Sequence, residues 1–204
     1  MGRLTKLEVC THWEGRDLSS SLYLPALRGL EEGDLDLLAM LPVCDVNGDL
    51  ARSLASGNLW AVPGPAPVAG LFMLDPFLRI ADMASALKAA GIQRVANYPT
   101  IQVLEGETAR GLASVGLGPA QEFEILREFG RRGLAMVGFA TGAAAARELA
   151  AAGASTAVLH PGPSAGRGDR EAVAAMSAWL KPELLARGTT LMAFSPRDGV
   201  ARVV

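Results

Sequence analysis

Lysine, histidine and cysteine are all scarce in this chain, and each scarcity removes a class of chemistry. Three lysines stand against 16 arginines. Lys88 and Lys181 fall in helical segments and Lys6 near the start, so none sits at the catalytic end of a strand, where a Schiff-base amine is expected. Two cysteines, Cys10 and Cys44, are too few for a disulfide framework and lack CxxC spacing, which reads as reduced thiols packed near strands. No apolar run approaches the roughly 18 residues that span a bilayer, so no membrane segment is expected. The opening MGRLTKLEVCTHWEG interrupts its apolar positions with Lys6, Glu8 and His12, leaving no signal-peptide core and favouring the cytoplasm. A net charge of −2, with arginines scattered except for Arg131 and Arg132, argues against nucleic acid as a partner. GxGxxG and GxxxxGK[ST] are also absent, which withdraws support from the commonest nucleotide-binding open sheets.

What remains is an apolar chain of 204 residues, 50% hydrophobic and 20% charged, enough for one sizeable core and a single domain over 1–204. Short apolar runs bounded by turn signals predict strands at 4–11, 35–43, 67–74, 94–99, 134–141, 155–161 and 190–195, with an eighth at 199–204. Most show little alternation, the pattern of parallel strands buried on both faces. Helices are predicted over 76–91, opening at Pro76 after Asp75, over 119–133 from Pro119 to Gly133, and over 142–153 after Thr141 as N-cap. Helix, glycine and strand then recur in AAGIQRVAN, RRGLAMVG and AAGASTAV. Right-handed crossovers follow from that unit, and the architecture expected is α/β, a (β/α)8 barrel of TIM type, shortened or incomplete.

In such barrels chemistry gathers past the carboxyl ends of the strands. Asp45 and Asn47 follow the second predicted strand, Asp75 the third, Asn97 and Thr100 the fourth, and His160 the sixth. An imidazole at a strand end suits general acid or base work near neutral pH, although a hydrogen-bonded rim histidine is the plainer reading. Asp75 before Pro76 reads as a helix cap, as a carboxylate for a substrate hydroxyl or a Mg2+ ion, or as both. Asn97, inside an apolar strand, demands partners and so leaves structure and function both open. Thr141 and Ser195, after the fifth and seventh strands, are weaker candidates that fit caps or turns. The glycine-rich stretch 101–119, with Glu105 and Glu107 near its tip, reads as a long binding loop or lid.

Taken in order, LPVCDVNGD, Asp75-Pro76-Phe77, Asn97-Tyr98-Pro99-Thr100, Gly116-Leu117-Gly118 with Glu122 and Glu124, and Leu159-His160-Pro161-Gly162 resemble the phosphoenolpyruvate hydrolase-like TIM-barrel family. That family is also found as a domain of plant antiviral Tm-1-like proteins. The resemblance implies a pyruvate- or phosphoenolpyruvate-class substrate and hydrolase, lyase or mutase chemistry at the barrel mouth. It implies His160, Asp75 and Asn97 as catalytic residues, with Asp45, Asn47, Thr100 and Glu122 around the substrate. A phosphate would draw on Ser164, Gly166 and Arg167 in PGPSAGRGDR, which otherwise reads as a plain linker. The family's glycine-rich segment before Leu-Pro is missing here, and MAFSPRDG stands where the family carries Cys-His-Gly-Gly-Pro.

Three functions are therefore expected to compete. One is a lyase or hydrolase acting on a small carboxylated, enolic substrate, with His160 as general acid/base. Another is a lyase, cyclase or isomerase step in a specialised biosynthetic pathway, and the third is a non-catalytic ligand- or protein-binding barrel. No cofactor is firmly implied; Mg2+, oriented with the substrate or in its place by Asp75 and Asn97, is the candidate. A barrel without a full last unit would leave apolar strand edges, so a homo-oligomer is expected.

Overall fold

The computed structural model describes residues 6–11, 18–29, 39–40, 44–56, 66–162 and 167–195. Seven strands, β1 Lys6–Cys10, β2 Ser21–Tyr23, β3 Val68–Leu71, β4 Arg94–Asn97, β5 Ala135–Ala140, β6 Thr156–Leu159 and β7 Thr190–Ser195, lie side by side in chain order, all parallel. β7 pairs back onto β1 through Lys6 with Ala193 and Leu7 with Phe194, which closes the barrel. Helices α1 Val46–Ala55, α2 Ile80–Ala89, α3 Gly106–Ser114, α4 Pro119–Arg131, α5 Ala143–Ala151 and α6 Arg167–Leu185 fill the connections.

Two apolar clusters explain why the strands barely alternate. Leu7, Val9, Leu22, Val68, Ala96, Tyr98, Val137, Phe139, Val158 and Phe194 meet one another and fill the lumen. Their neighbours Ala69, Leu71, Val95, Ala140, Ala157, Leu159 and Leu191 join Leu87, Phe123, Phe129, Leu149, Leu180 and Leu184 of the surrounding helices. The strands are thus mostly buried on both sides, as a parallel sheet requires, though in β1 Lys6 is exposed and Glu8 half-buried. Two glycines are needed by close approach. A Cβ at Gly70 would lie 2.7 Å from Leu24 in the lumen, and one at Gly138 would lie within 2.6 Å of both Leu149 methyls, where α5 presses on β5.

The expected barrel is therefore present but shortened, closing on seven strands rather than eight. Closure removes the open strand edges from which an oligomer was expected, because the outermost strands pair with each other. The eighth predicted strand, 199–204, lies outside the described residues. So does most of the strand predicted at 35–43, and its described residues, Ala39 and Met40, are helical. Leu, Ala and Met are strong helix formers, and an apolar run of them carries no sign that separates a strand from a buried helix. The second strand is instead the short Ser21–Tyr23, hidden in a serine-rich stretch.

Other boundaries move for local reasons. The helix predicted to open at Pro76 begins at Ile80, because Pro76 and Phe77 form a turn first. The cap of α5 is Gly142 rather than Thr141. The predicted lid over 101–119 is a 3-10 turn, Ile101–Val103, followed by α3, whose residues are all at least partly exposed. β4 runs into a cis Tyr98–Pro99 bond.

Candidate functional site

The polar residues named from the sequence form three groups at the carboxyl ends of the strands. The first joins α1 to the turn after β3. Asp45 caps α1, its Oδ1 accepting the Gly48 N–H at 2.8 Å while Arg52 reaches its Oδ2 at 3.3 Å. Asn47, in the first turn of α1, donates from Nδ2 to the Phe72 carbonyl at 2.9 Å and accepts the Phe72 N–H at 3.1 Å. The same Nδ2 donates to Asp75 Oδ2 at 2.8 Å. Asp75 Oδ1 accepts the Phe77 N–H at 2.8 Å, so its carboxylate is fixed from both sides. It caps its own turn, as one of the sequence readings held, although the helix starts later.

The second group lies outside the lumen, between β4, β5 and α4. Asn97 shares a face with Val95 and turns away from the barrel axis, and it is fully buried. Its Oδ1 accepts the Phe139 N–H at 2.7 Å and its Nδ2 donates to the Phe139 carbonyl at 3.3 Å. The amide of Asn97 thereby takes the place of a main-chain partner where the β4–β5 ladder ends. Glu122 from α4 is also fully buried; its Oε2 accepts from Thr100 Oγ1 at 2.9 Å and Gln102 Nε2 at 3.3 Å, and its Oε1 accepts the Ile101 N–H at 3.3 Å. Burial pushes the Glu122 carboxyl up to about 7, with the hydrogen bonds from Thr100, Gln102, Asn97 and Ile101 opposing the rise.

Gln102 is the residue that sequence reasoning missed. Its Nε2 also donates to the Phe139 carbonyl at 2.8 Å and to Thr100 Oγ1 at 2.9 Å, while its Oε1 accepts the Thr141 N–H at 3.5 Å. A glutamine in a short turn carries no pattern that announces such a hub.

The third group is His160. Val158 faces the lumen, so the imidazole two residues on faces it too, buried at the carboxyl end of β6. It stacks on Phe194 at 4.9 Å between centroids and neighbours Phe139 at 6.1 Å and Tyr98 at 6.3 Å. Its Nδ1 accepts the Gly162 N–H at 3.0 Å, so the neutral ring carries its proton on Nε2. Phe139 connects this group to the second, with its ring beside His160 and its main chain held by Asn97 and Gln102.

The structure thus brings Asn97, Thr100 and Glu122 together, and separately Asp45, Asn47 and Asp75. His160 stands inside the barrel, apart from both. Ser164 lies outside the described residues, and Arg167 is placed only as the first residue of α6. Among the described residues no three of His, Cys, Asp and Glu gather to hold a metal, so a Mg2+ ion would have to complete its shell with substrate or water around a carboxylate such as Asp75. None of the described helices is long and apolar enough to cross a membrane.

A groove of about 550 Å3 opens beside the first group, between α1 and α2. Asp45, Asn47 and Asp75 stand on one wall, and Ala51, Met83 and Ala86 contribute apolar surface.

Comparison with known proteins agrees with this architecture. A family model described as phosphoenolpyruvate hydrolase-like matches residues 26–178. The uncharacterized protein y4oT of Sinorhizobium fredii (strain NBRC 101917 / NGR234) is 34% identical over 137 residues, 67% of this chain and 68% of that protein. Two proteins of Solanum lycopersicum, the ToMV resistance protein Tm-1(GCR237) and the ToMV susceptible protein tm-1(GCR26), are each 31% identical over 126 residues. Those residues make up 62% of this chain but 17% of each tomato protein.

Proposed function

The chain belongs to the phosphoenolpyruvate hydrolase-like family, and from that premise we propose that it is an enzyme moving a proton on a small carboxylated, enolisable substrate at the carboxyl end of the barrel. One observation carries this reading: His160 is lodged inside the rim with Nδ1 held by the Gly162 N–H, which leaves Nε2 as the proton-bearing atom. A fixed tautomer in an aromatic, water-poor surrounding is what a general acid or base requires. Phe194, Tyr98 and Phe139 hold the ring in orientation. No proton-transfer role goes to Asn97, whose amide is already engaged at both ends by Phe139. Lyase or hydrolase outcomes would follow according to which bond the resulting enol or carbanion breaks.

A screen of 2-oxo acids and enol carboxylates, with and without a phosphate group, tests the proposal. Turnover of at least one compound, abolished in His160→Gln, supports it. Equal turnover by the variant would remove His160 from the chemistry.

A second reading, a barrel that binds without catalysing, is favoured by how fully Asn47, Asn97, Thr100 and Glu122 spend their hydrogen bonds on the chain itself. The tomato relatives carry names that describe virus resistance and susceptibility rather than a reaction. In the same screen, ligand-induced stabilisation without turnover of any compound would select this reading.

A further inference from the structure

We propose that the groove between α1 and α2 is a binding site for a small organic ammonium ion, an amine carried on a short apolar body. At about 550 Å3 the groove lies within the size range of small-molecule sites. Its apolar wall is formed by Ala51 of α1, Met83 and Ala86 of α2, and Leu78 before α2, with Phe77 at the edge, 87% exposed.

The polar wall decides the sign of the ligand. Asp75 presents a carboxylate whose direction is set by Asn47 and the Phe77 N–H, both neutral donors. Asn47 is itself locked by two hydrogen bonds to the Phe72 main chain, so little ordering remains to be done when a ligand arrives. Among the described residues Asp75 makes no ion pair. Arg79, which lines the groove, pairs with Asp82 at 2.8 Å, and Arg52 of α1 pairs with Asp49 at 2.6 Å and Asp45 at 3.3 Å.

An anion is disfavoured there: the described lining carries three carboxylates, Asp45, Asp75 and Asp82, against Arg79, which pairs with Asp82. The amide end of α1, which would otherwise attract one, is closed by Asp45 through the Gly48 N–H. A Cβ at Gly48 would lie 2.0 Å from the Asp45 carboxylate, so the cap is tight as well as charged. An ammonium group donating to Asp75, with its apolar body along Ala51, Met83 and Ala86, satisfies both walls. The site stands on the groove alone and does not depend on the chemistry proposed for His160.

Calorimetric titration of the whole chain at pH 7.5 tests it, with benzylammonium, benzyl alcohol and benzoate as probes of similar size and three charges. Benzylammonium is expected to bind saturably and at least about tenfold more tightly than the other two, and Asp75→Asn to lower its affinity by about tenfold, the loss of one charge-assisted hydrogen bond. Ala51→Phe, on the exposed flank of α1, fills the groove and is expected to abolish binding. Benzoate binding as tightly as benzylammonium, or no saturable benzylammonium binding, would overturn the site. Undiminished affinity in either folded variant would overturn it as well, and Ala51→Phe decides alone should Asp75→Asn not fold.

Discussion

Asn97 pairs with Phe139 through both ends of its side-chain amide, accepting the Phe139 N–H at 2.7 Å and donating to the Phe139 carbonyl at 3.3 Å. A side chain thus carries the β4–β5 ladder past the point where the strand of Asn97 ends. On the opposite face of the sheet the ring of Phe139 lies beside His160. Asn97, for which the sequence left structure and function both open and the resemblance implied catalysis, here supports the residue proposed to do the chemistry.

Replacing Asn97 should be felt in stability first. Asn97→Ala leaves the buried Phe139 N–H and carbonyl without their partner, at a cost of roughly 1–3 kcal/mol. Asn97→Asp keeps the acceptor but sets a carboxylate oxygen against the Phe139 carbonyl, and is expected to cost at least as much. Urea unfolding at constant m-value measures both.

Glu122 makes stability depend on pH in a direction opposite to that of most carboxylates. Its folded-state value, about 7, lies above the ordinary 4.5, so the folded chain holds the proton more tightly than the unfolded chain. The stability that this proton contributes is complete below pH 4.5 and is lost as pH rises through 7. The loss is on the order of 3 kcal/mol at most. Wild type minus Glu122→Gln, followed by chemical denaturation from pH 4.5 to 8, isolates this term. The wild type should lose ground to the variant up to about pH 7 and level off above it, and a constant difference would contradict the assignment.

Gly138 tests the packing of α5 on β5. Gly138→Ala puts a methyl group within 2.6 Å of both Leu149 methyls and is expected to destabilise by about 1–3 kcal/mol. In a Leu149→Ala background Gly138→Ala should cost less than it does in the wild type, which thermal melting of both single variants and the double variant would show.

Much of the barrel was legible because β3 to β7 are apolar runs bounded by turn signals, and β4, β5 and β6 each follow a glycine-ended helix. α2, α4 and α5 each stop before a glycine with positive φ, at Gly91, Gly133 and Gly153. What escaped were elements with no periodic burial to read. Ser21–Tyr23 is only three residues long, and α3 buries none of its residues. The polar strand ends were found, but their grouping was not, since side-chain direction decides it. Asn97 shares the outward face of Val95, while His160 shares the inward face of Val158. Asp45, expected near a substrate, is first of all the cap of α1. Gln102 holds Thr100, Glu122 and Phe139 together by contacts that only the folded chain creates.

Exchange of substrate protons with solvent tests the proposed chemistry most directly. In D2O, a pyruvate-class compound found to bind should gain deuterium at the carbon next to its carbonyl when wild-type protein is added, as followed by proton NMR. His160→Gln should slow that exchange by at least about 100-fold while the variant keeps its fold and its ligand affinity. Exchange at the wild-type rate in His160→Gln would contradict His160 as the proton carrier.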